Sequence, residues 1–322
     1  MRHPSGSSRR PGATSGPLVA VCVLLLAACA SPTPAEPRAH TPVESYVDVS
    51  FQPTGMADAV RNSPVRRFAL AFLLAHDGRC EPVWGAGRPL SDPGLAAEIA
   101  AVRAAGGEIT VATGGAVGDY LESRCASAAD LATAYTAALD ATGADGIDVD
   151  IETGVPTGLV ADALARLQRE RGTGVTLTLP VADAGQGLEE SGLRLVRAVA
   201  ERGTNLTVNA MLMNFPVSGT WRGSLLGAAD AVAAQLTGLG LGHDRLALTI
   251  MAGRNDTGVT TTVDDARAVR DYADAHRIAF LGLWSLARDD GGCPGRPQAV
   301  ATCSGLAQAP YDFVRTLTEE SA

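Results

Sequence analysis

Lysine is missing from this chain, so every permanent side-chain cation is an arginine. Its 26 arginines are outnumbered by 35 acids, for a formal charge of −9. The absence of lysine fits a GC-rich coding sequence and carries no chemistry of its own. The deficit of positive charge does carry some: an acidic chain lacks the basic surface that nucleic acid or an anionic membrane face demands. Past residue 28 no apolar run is long and uncharged enough to span a bilayer. No CxxC pair occurs, so nothing in the spacing supports zinc held by cysteines. The residues after the first strand candidate, QPTGMADAV, lack the Gly-rich phosphate loop that usually opens a doubly wound nucleotide-binding sheet.

What is present begins with a targeting segment. MRHPSGSSRRPGATSGP is basic, LVAVCVLLLAA is a short apolar run, and Cys29 follows directly. That order reads as a secretory signal over residues 1–28, too short for a spanning helix. Leu26-Ala27-Ala28-Cys29 resembles the bacterial lipobox, which implies cleavage before Cys29 and a lipid on its sulfur. An ordinary cleaved signal with a chance cysteine is the alternative. Loss of Arg2, Arg9 and Arg10 with the signal makes the mature chain more acidic still. Residues 29–45, rich in Pro and Ala, read as a tether that cannot bury enough apolar surface to fold. The expected location is therefore the outer face of the cell membrane, or outside the cell, with contact to the membrane only through Cys29. Four cysteines remain: Cys80, Cys125, Cys293 and Cys303. An oxidising compartment favours disulfides, of which Cys293 with Cys303 is the local choice, leaving Cys80 with Cys125.

From Tyr46 to the end at residue 322, β-branched runs alternate with amphipathic stretches. Strand candidates start at Tyr46, Arg66, Glu108, Gly146, Gly174, Leu206, Arg245 and Ile278. The segments between them often open on Ser, Thr or Asp and close on Gly, as helix caps require. Eight such units over roughly 275 residues predict a single α/β domain, a (β/α)8 barrel.

The fourth strand candidate reads DGIDVDIE from Asp145. Successive strand side chains face opposite ways, so Ile147, Val149 and Ile151 share one face and Asp148, Asp150 and Glu152 the other. In a barrel the apolar face packs under the helices, and the acids line the interior, with Glu152 at the carboxyl end where barrel active sites lie. Interior carboxyls are costly to ionise, and crowding raises the pKa of at least one, as a general acid near neutral pH requires. A half-exposed strand with three solvated acids would explain the alternation but not its place in a barrel. Three carboxylates also suggest Mg²⁺ or Ca²⁺. Strand alternation, however, spreads them over ~13 Å at about 3.3 Å per residue, a poor cage.

The pattern resembles glycoside hydrolase family 18, the chitinase family, in its compact prokaryotic form without an inserted α+β domain. Asp145, Asp148, Asp150 and Glu152 match its DxxDxDxE motif. Ala112-Thr113-Gly114-Gly115 stands where the family has Ser-x-Gly-Gly, with Ala112 in place of Ser. A Met-rich sixth strand appears as Asn209-Ala210-Met211-Leu212-Met213-Asn214-Phe215, and the floor tryptophan of the eighth strand as Trp284. The resemblance implies hydrolysis of β-1,4 bonds between N-acetylglucosamine units by an endo-acting, retaining, substrate-assisted route, by a monomer with no cofactor and no metal. Glu152 would be the general acid and base, Asp150 the partner of the substrate acetamide, and Asp148 a sharer of Asp150's proton. Asp145, Gly114, Gly115, Met211, Met213, Asn214 and Trp284 would contact sugar. Trp84 and Trp221, in rim loops, would stack on further sugars or merely cap their loops.

Two departures stand out. Met213 and Phe215 offer no hydroxyl to polarise the acetamide, and Asn214 replaces an Asp common in the compact group. Two other functions therefore compete: an endo-β-N-acetylglucosaminidase on glycoprotein or peptidoglycan sugars, and a carbohydrate-binding barrel that has lost turnover.

Overall fold

The computed structural model describes residues 40–319. The expected signal, Cys29 and residues 29–39 of the tether lie outside the described residues, as do 320–322.

Eight parallel strands close into a barrel: β1 Val43–Asp48, β2 Arg67–Ala75, β3 Glu108–Gly114 and β4 Gly146–Asp150. The second half is β5 Gly174–Asp183, β6 Leu206–Leu212, β7 Leu246–Met251 and β8 Phe280–Trp284. Each strand pairs with its sequence neighbour, and β1 closes the ring by pairing with both β2 and β8. The outer layer is α1 Met56–Asn62, α2 Pro93–Ala104, α3 Ala128–Thr142 and α4 Thr157–Arg171. It continues with α5 Glu190–Glu201, α6 Trp221–Gly238, α7 Val263–His276 and α8 Asp312–Thr318. The expected (β/α)8 architecture is the one found.

Local chemistry sets these boundaries. The side chains of Asp92, Ser127, Thr220 and Thr262 accept N-terminal backbone N–H groups of α2, α3, α6 and α7. Gly143 and Gly172, at φ 65° and 71°, end α3 and α4 in the left-handed conformation that glycine adopts without strain. The main hydrophobic core lies between strands and helices. There Ile147 and Val149 are wholly buried, each worth about 1.5–3 kcal/mol relative to exposure.

The barrel starts earlier than the tether boundary at residue 45 allowed. Val43 already pairs with Leu281, and Leu281 N–H donates to the Pro42 carbonyl at 2.8 Å. Buried Arg270 of α7 also donates to the Thr41 carbonyl at 2.9 Å. A Pro- and Glu-bearing stretch gives no apolar sign of this edge, because long-range backbone pairing holds it.

Both disulfides form as expected: Cys80–Cys125 and Cys293–Cys303, with Cα–Cα distances of 4.6 and 6.1 Å. The first ties the loop after β2 to the one after β3, and the second closes a loop after β8. Among the described residues no helix is long and apolar enough to cross a membrane.

Candidate active site

Asp148 and Asp150 point into the barrel, 2 % and 4 % exposed, while their neighbours Ile147 and Val149 face the helices. A buried carboxyl needs donors. Asp148 has two: the Tyr46 hydroxyl donates to its Oδ2 at 2.5 Å and the Thr178 hydroxyl to its Oδ1 at 2.6 Å. Behind them, the Asn209 amide donates to the Tyr46 oxygen (2.9 Å) and to Thr178 Oγ1 (3.0 Å). The Thr249 hydroxyl donates to Asn209 Oδ1 at 2.9 Å. Residues from β1, β4, β5, β6 and β7 thus form one polar chain across the barrel, ending on Asp148. Gly282 of β8 makes room for it, since a Cβ there would lie 2.0 Å from Thr249 Oγ1. Burial raises the pKa of Asp148 to about 7, although the Thr178 and Tyr46 donors work against the rise.

Asp150, two residues further up, differs. Its Oδ1 is buried with no hydrogen-bond partner. Burial first, then the charges of Asp148, Glu152 and Glu122, push its pKa well above the carboxylate range. Both Asp148 oxygens are occupied by Tyr46 and Thr178. The charge of Asp148 also acts on Asp150 and helps to hold its proton.

Glu152 lies just beyond the strand end, in the loop leading to α4. Its backbone N–H donates to the Tyr120 hydroxyl oxygen at 3.2 Å, which fixes the chain as it leaves β4. Burial, followed by the charge of Asp256, raises its pKa.

Asp150 and Glu152 open into a cavity of about 730 Å³ at the carboxyl ends of the strands. Trp284 forms part of its wall, stacked on Phe72 at 5.5 Å and edge-on to Tyr46 at 5.9 Å. Met211, Met213, Asn214 and Met251 supply the side from β6 and β7. Asp256, from the loop between the short strands Gly253–Arg254 and Thr260–Thr261, completes the mouth. Glu189 lines this cavity and a smaller one of about 190 Å³; Glu152 borders both. A proton donor, an unsatisfied acceptor two residues away and an aromatic floor in one opening can bind a polyhydroxylated ring and protonate it.

Comparison with known proteins agrees with this geometry. No family model matches the chain. A probable bifunctional chitinase/lysozyme of Escherichia coli K12 is 29% identical over 301 residues, covering 83% of this chain and 33% of that protein. Endochitinase 11 of Metarhizium anisopliae is 27% identical, covering 76% and 52%. The chain thus spans between a third and about half of the curated relatives it matches. The catalytic domain of a hyperthermophilic chitinase from Pyrococcus furiosus superimposes with a TM-score of 0.78 at 28% identity, over 87% of this chain and 95% of that domain. In sequence and in fold the chain is similar to these chitinases.

Within this barrel the expected site residues divide. Asp150, Glu152, Met211, Met213, Asn214 and Trp284 line the cavity, and Asp148 sits directly beneath it. Asp145 does not. It is exposed, one residue before the strand begins, at the amino end opposite the cavity. Gly114 and Gly115 serve packing rather than sugar contact. A Cβ on Gly114 would lie 1.9 Å from the Asp150 carbonyl, and one on Gly115 would lie 2.5 Å from the Phe72 ring. They let β3 approach the acid strand, and Gly115 N–H donates to the Asp150 carbonyl at 3.1 Å. Trp84 is no rim platform: it ends a three-residue strand antiparallel to β2 and is wholly buried in the main core. Trp221 caps its loop. Its indole N–H donates to Thr261 Oγ1 at 3.0 Å and its ring packs on Phe215 at 4.9 Å.

Sequence reasoning missed Tyr46, Thr178, Asn209 and Asp256. Tyr46 and Thr178 sit at interior-parity positions of strands that had been recognised, so alternation could have found them. Asp256 lies in a loop with no periodicity to read. Among the described residues no group of three or more His, Cys, Asp or Glu is placed to hold a metal ion.

Proposed function

We propose that the protein hydrolyses β-1,4 bonds within N-acetylglucosamine polymers, endo-acting and with retention, the substrate acetamide serving as nucleophile. The carrying observation is the orphaned Asp150 Oδ1 beside Glu152 in the cavity: a buried acceptor that an amide N–H would satisfy.

In the first step Glu152 gives its proton to the glycosidic oxygen. The C1–O bond breaks as the 2-acetamido carbonyl oxygen bonds to C1, and the leaving sugar departs as an alcohol. Asp150 accepts the acetamide N–H and offsets the positive charge of the resulting oxazolinium ion. Asp148, held by Tyr46 and Thr178, supplies negative potential beneath Asp150. In the second step Glu152 takes a proton from water as its oxygen attacks C1, which reopens the ring and restores the acid. This is the substrate-assisted exception to the two-carboxylate scheme. Trp284 gives the distorted ring an apolar face. Removal of Glu152 as donor should cost about 10²–10⁴-fold in turnover. Glu152→Gln should therefore release no measurable sugar from N-acetylglucosamine oligomers while still binding them. Wild-type release by that variant would refute the proposal.

A peptidoglycan reading of the same chemistry is supported by the chitinase/lysozyme relative. Product masses from chitin oligomers and from peptidoglycan, compared side by side, separate the two. On the sequence pattern we further propose export as a lipoprotein anchored through Cys29.

A further inference from the structure

The cavity that the orphaned Asp150 Oδ1 marks as a ligand site is strongly biased in charge. Five carboxyl side chains line it: Asp48, Asp150, Glu152, Glu189 and Asp256. Its one lining cation, Arg288, is 2 % exposed and turned onto the protein. The terminal nitrogens of that guanidinium donate to the carbonyls of Ala252, Arg254 and Val300. A cleft lined by one sign of charge concentrates ligands of the other sign.

Four of the five acids already have partners or roles. Asp150 and Glu152 serve the acetamide and the glycosidic oxygen. Asp256 accepts the Asn214 amide on Oδ2 at 2.9 Å, and its own N–H donates to Asn214 Oδ1 at 2.8 Å. Glu189 also lines the smaller cavity, as Arg194 does. Asp48 remains. It ends β1 two residues beyond Tyr46, and so faces inward with it. The Ser50 N–H and hydroxyl both donate to its Oδ1, at 2.9 and 2.6 Å. Those bonds fix the carboxylate and leave Oδ2 with no partner among the described residues. On either side of β1 run β2 and β8, which bring Phe72 and Trp284 to the cavity. Asp48 therefore stands beside the aromatic floor, three strands round the ring from the strand of Asp150.

A polymer unit seated on Trp284 with its acetamide at Asp150 leaves the adjoining unit to meet other walls. On the β1 wall it meets a fixed carboxylate with an unused oxygen. An acetamide carbonyl cannot use that acceptor; a hydroxyl can, and an ammonium gains most because its hydrogen bond is charge-assisted. We propose that Asp48 takes the ammonium of a deacetylated glucosamine unit next to the acetamide-bearing one, so that the enzyme favours partly deacetylated N-acetylglucosamine polymers over fully acetylated ones. The proposal rests on the roles given above to Asp150 and Glu152, since the unit being cut must keep its acetamide.

The test is kcat/KM at mildly acidic pH, where a sugar amine is protonated. It compares a fully acetylated tetramer with tetramers carrying one deacetylated unit, in low and in high salt. The best mixed tetramer should be favoured roughly three- to tenfold in low salt, and the advantage should shrink as salt screens the pair. Asp48→Asn keeps an oxygen acceptor and drops the charge. It should bring the ratio of the two substrates close to one whatever it does to the absolute rates, and Asp48→Glu should keep part of the ratio. Circular dichroism reports folding of each variant. A wild-type enzyme with no preference for any mixed tetramer overturns the proposal, with no variant needed. So does a preference that survives D48N, or a D48N loss that is equal on both substrates, which would mean a hydroxyl contact only. The failure of the proposed function looks different: neither substrate is cut, or the new reducing end of a mixed tetramer is a deacetylated unit. Cleavage of the acetylated tetramer without preference for a mixed one leaves that function standing and removes only the role of Asp48.

Discussion

Asp148 and Glu122 are built alike and placed differently. Both are buried carboxyls served by one threonine and one tyrosine: Thr178 and Tyr46 for Asp148, Thr113 and Tyr135 for Glu122. Burial raises the pKa of both. Glu122, however, lies outside the barrel, in the helical turn after β3, takes both donors on Oε1 and leaves Oε2 without a partner. Asp148 shares its polar chain with four other strands and lies under Asp150, which opens to the cavity. A raised pKa therefore does not mark a catalytic group; access to a space that admits substrate does.

The contrast can be broken in order of expected effect. Asp150→Asn should reduce turnover by roughly 10²-fold or more, since the acetamide loses its carboxyl partner. The measurement is kcat on a chromogenic N-acetylglucosamine oligomer beside a thermal melt, and unchanged kcat would place the acceptor elsewhere. Asp148→Asn should show its effect in stability against pH. The folded pKa of Asp148 is raised above its unfolded value, so its contribution is fully present below about 3.8 and is lost as pH rises through about 7. The variant should lose less stability than the wild type across that window. The difference should reach a few kcal/mol, because a tenfold change in proton affinity is worth about 1.4 kcal/mol. Parallel urea-denaturation curves for the two proteins at pH 4 and pH 8 would contradict this. Glu122→Gln should leave kcat within about threefold of wild type and cost roughly 1–3 kcal/mol of stability through its disturbed buried hydrogen bonds. A large kcat loss in a folded E122Q protein would erase the distinction between the two carboxyls.

These differences also show what could be read from residues alone. The barrel was legible because eight β-branched runs alternate with capped helical stretches, a signal carried locally. The inward set of acids was legible because period two decides facing. What escaped depends on contacts distant in sequence. Tyr46 meets Asp148 across 102 positions and Asn214 meets Asp256 across 42. Trp84 looked like a rim residue because a three-residue strand after a loop leaves no periodic trace. Asp145 matched a motif, yet the strand opens one residue later and leaves it at the wrong end. Glycines 114 and 115 were recognised, but their reason, close passage of β3 against Asp150 and Phe72, appears only in three dimensions.

The central claim is that the bound sugar supplies its own nucleophile while Glu152 moves the proton. Proton NMR of the first reducing end released from a chitin oligomer, recorded before mutarotation, tests it most directly. A β-anomer is predicted, and an α-anomer would mean direct attack by water and contradict the account.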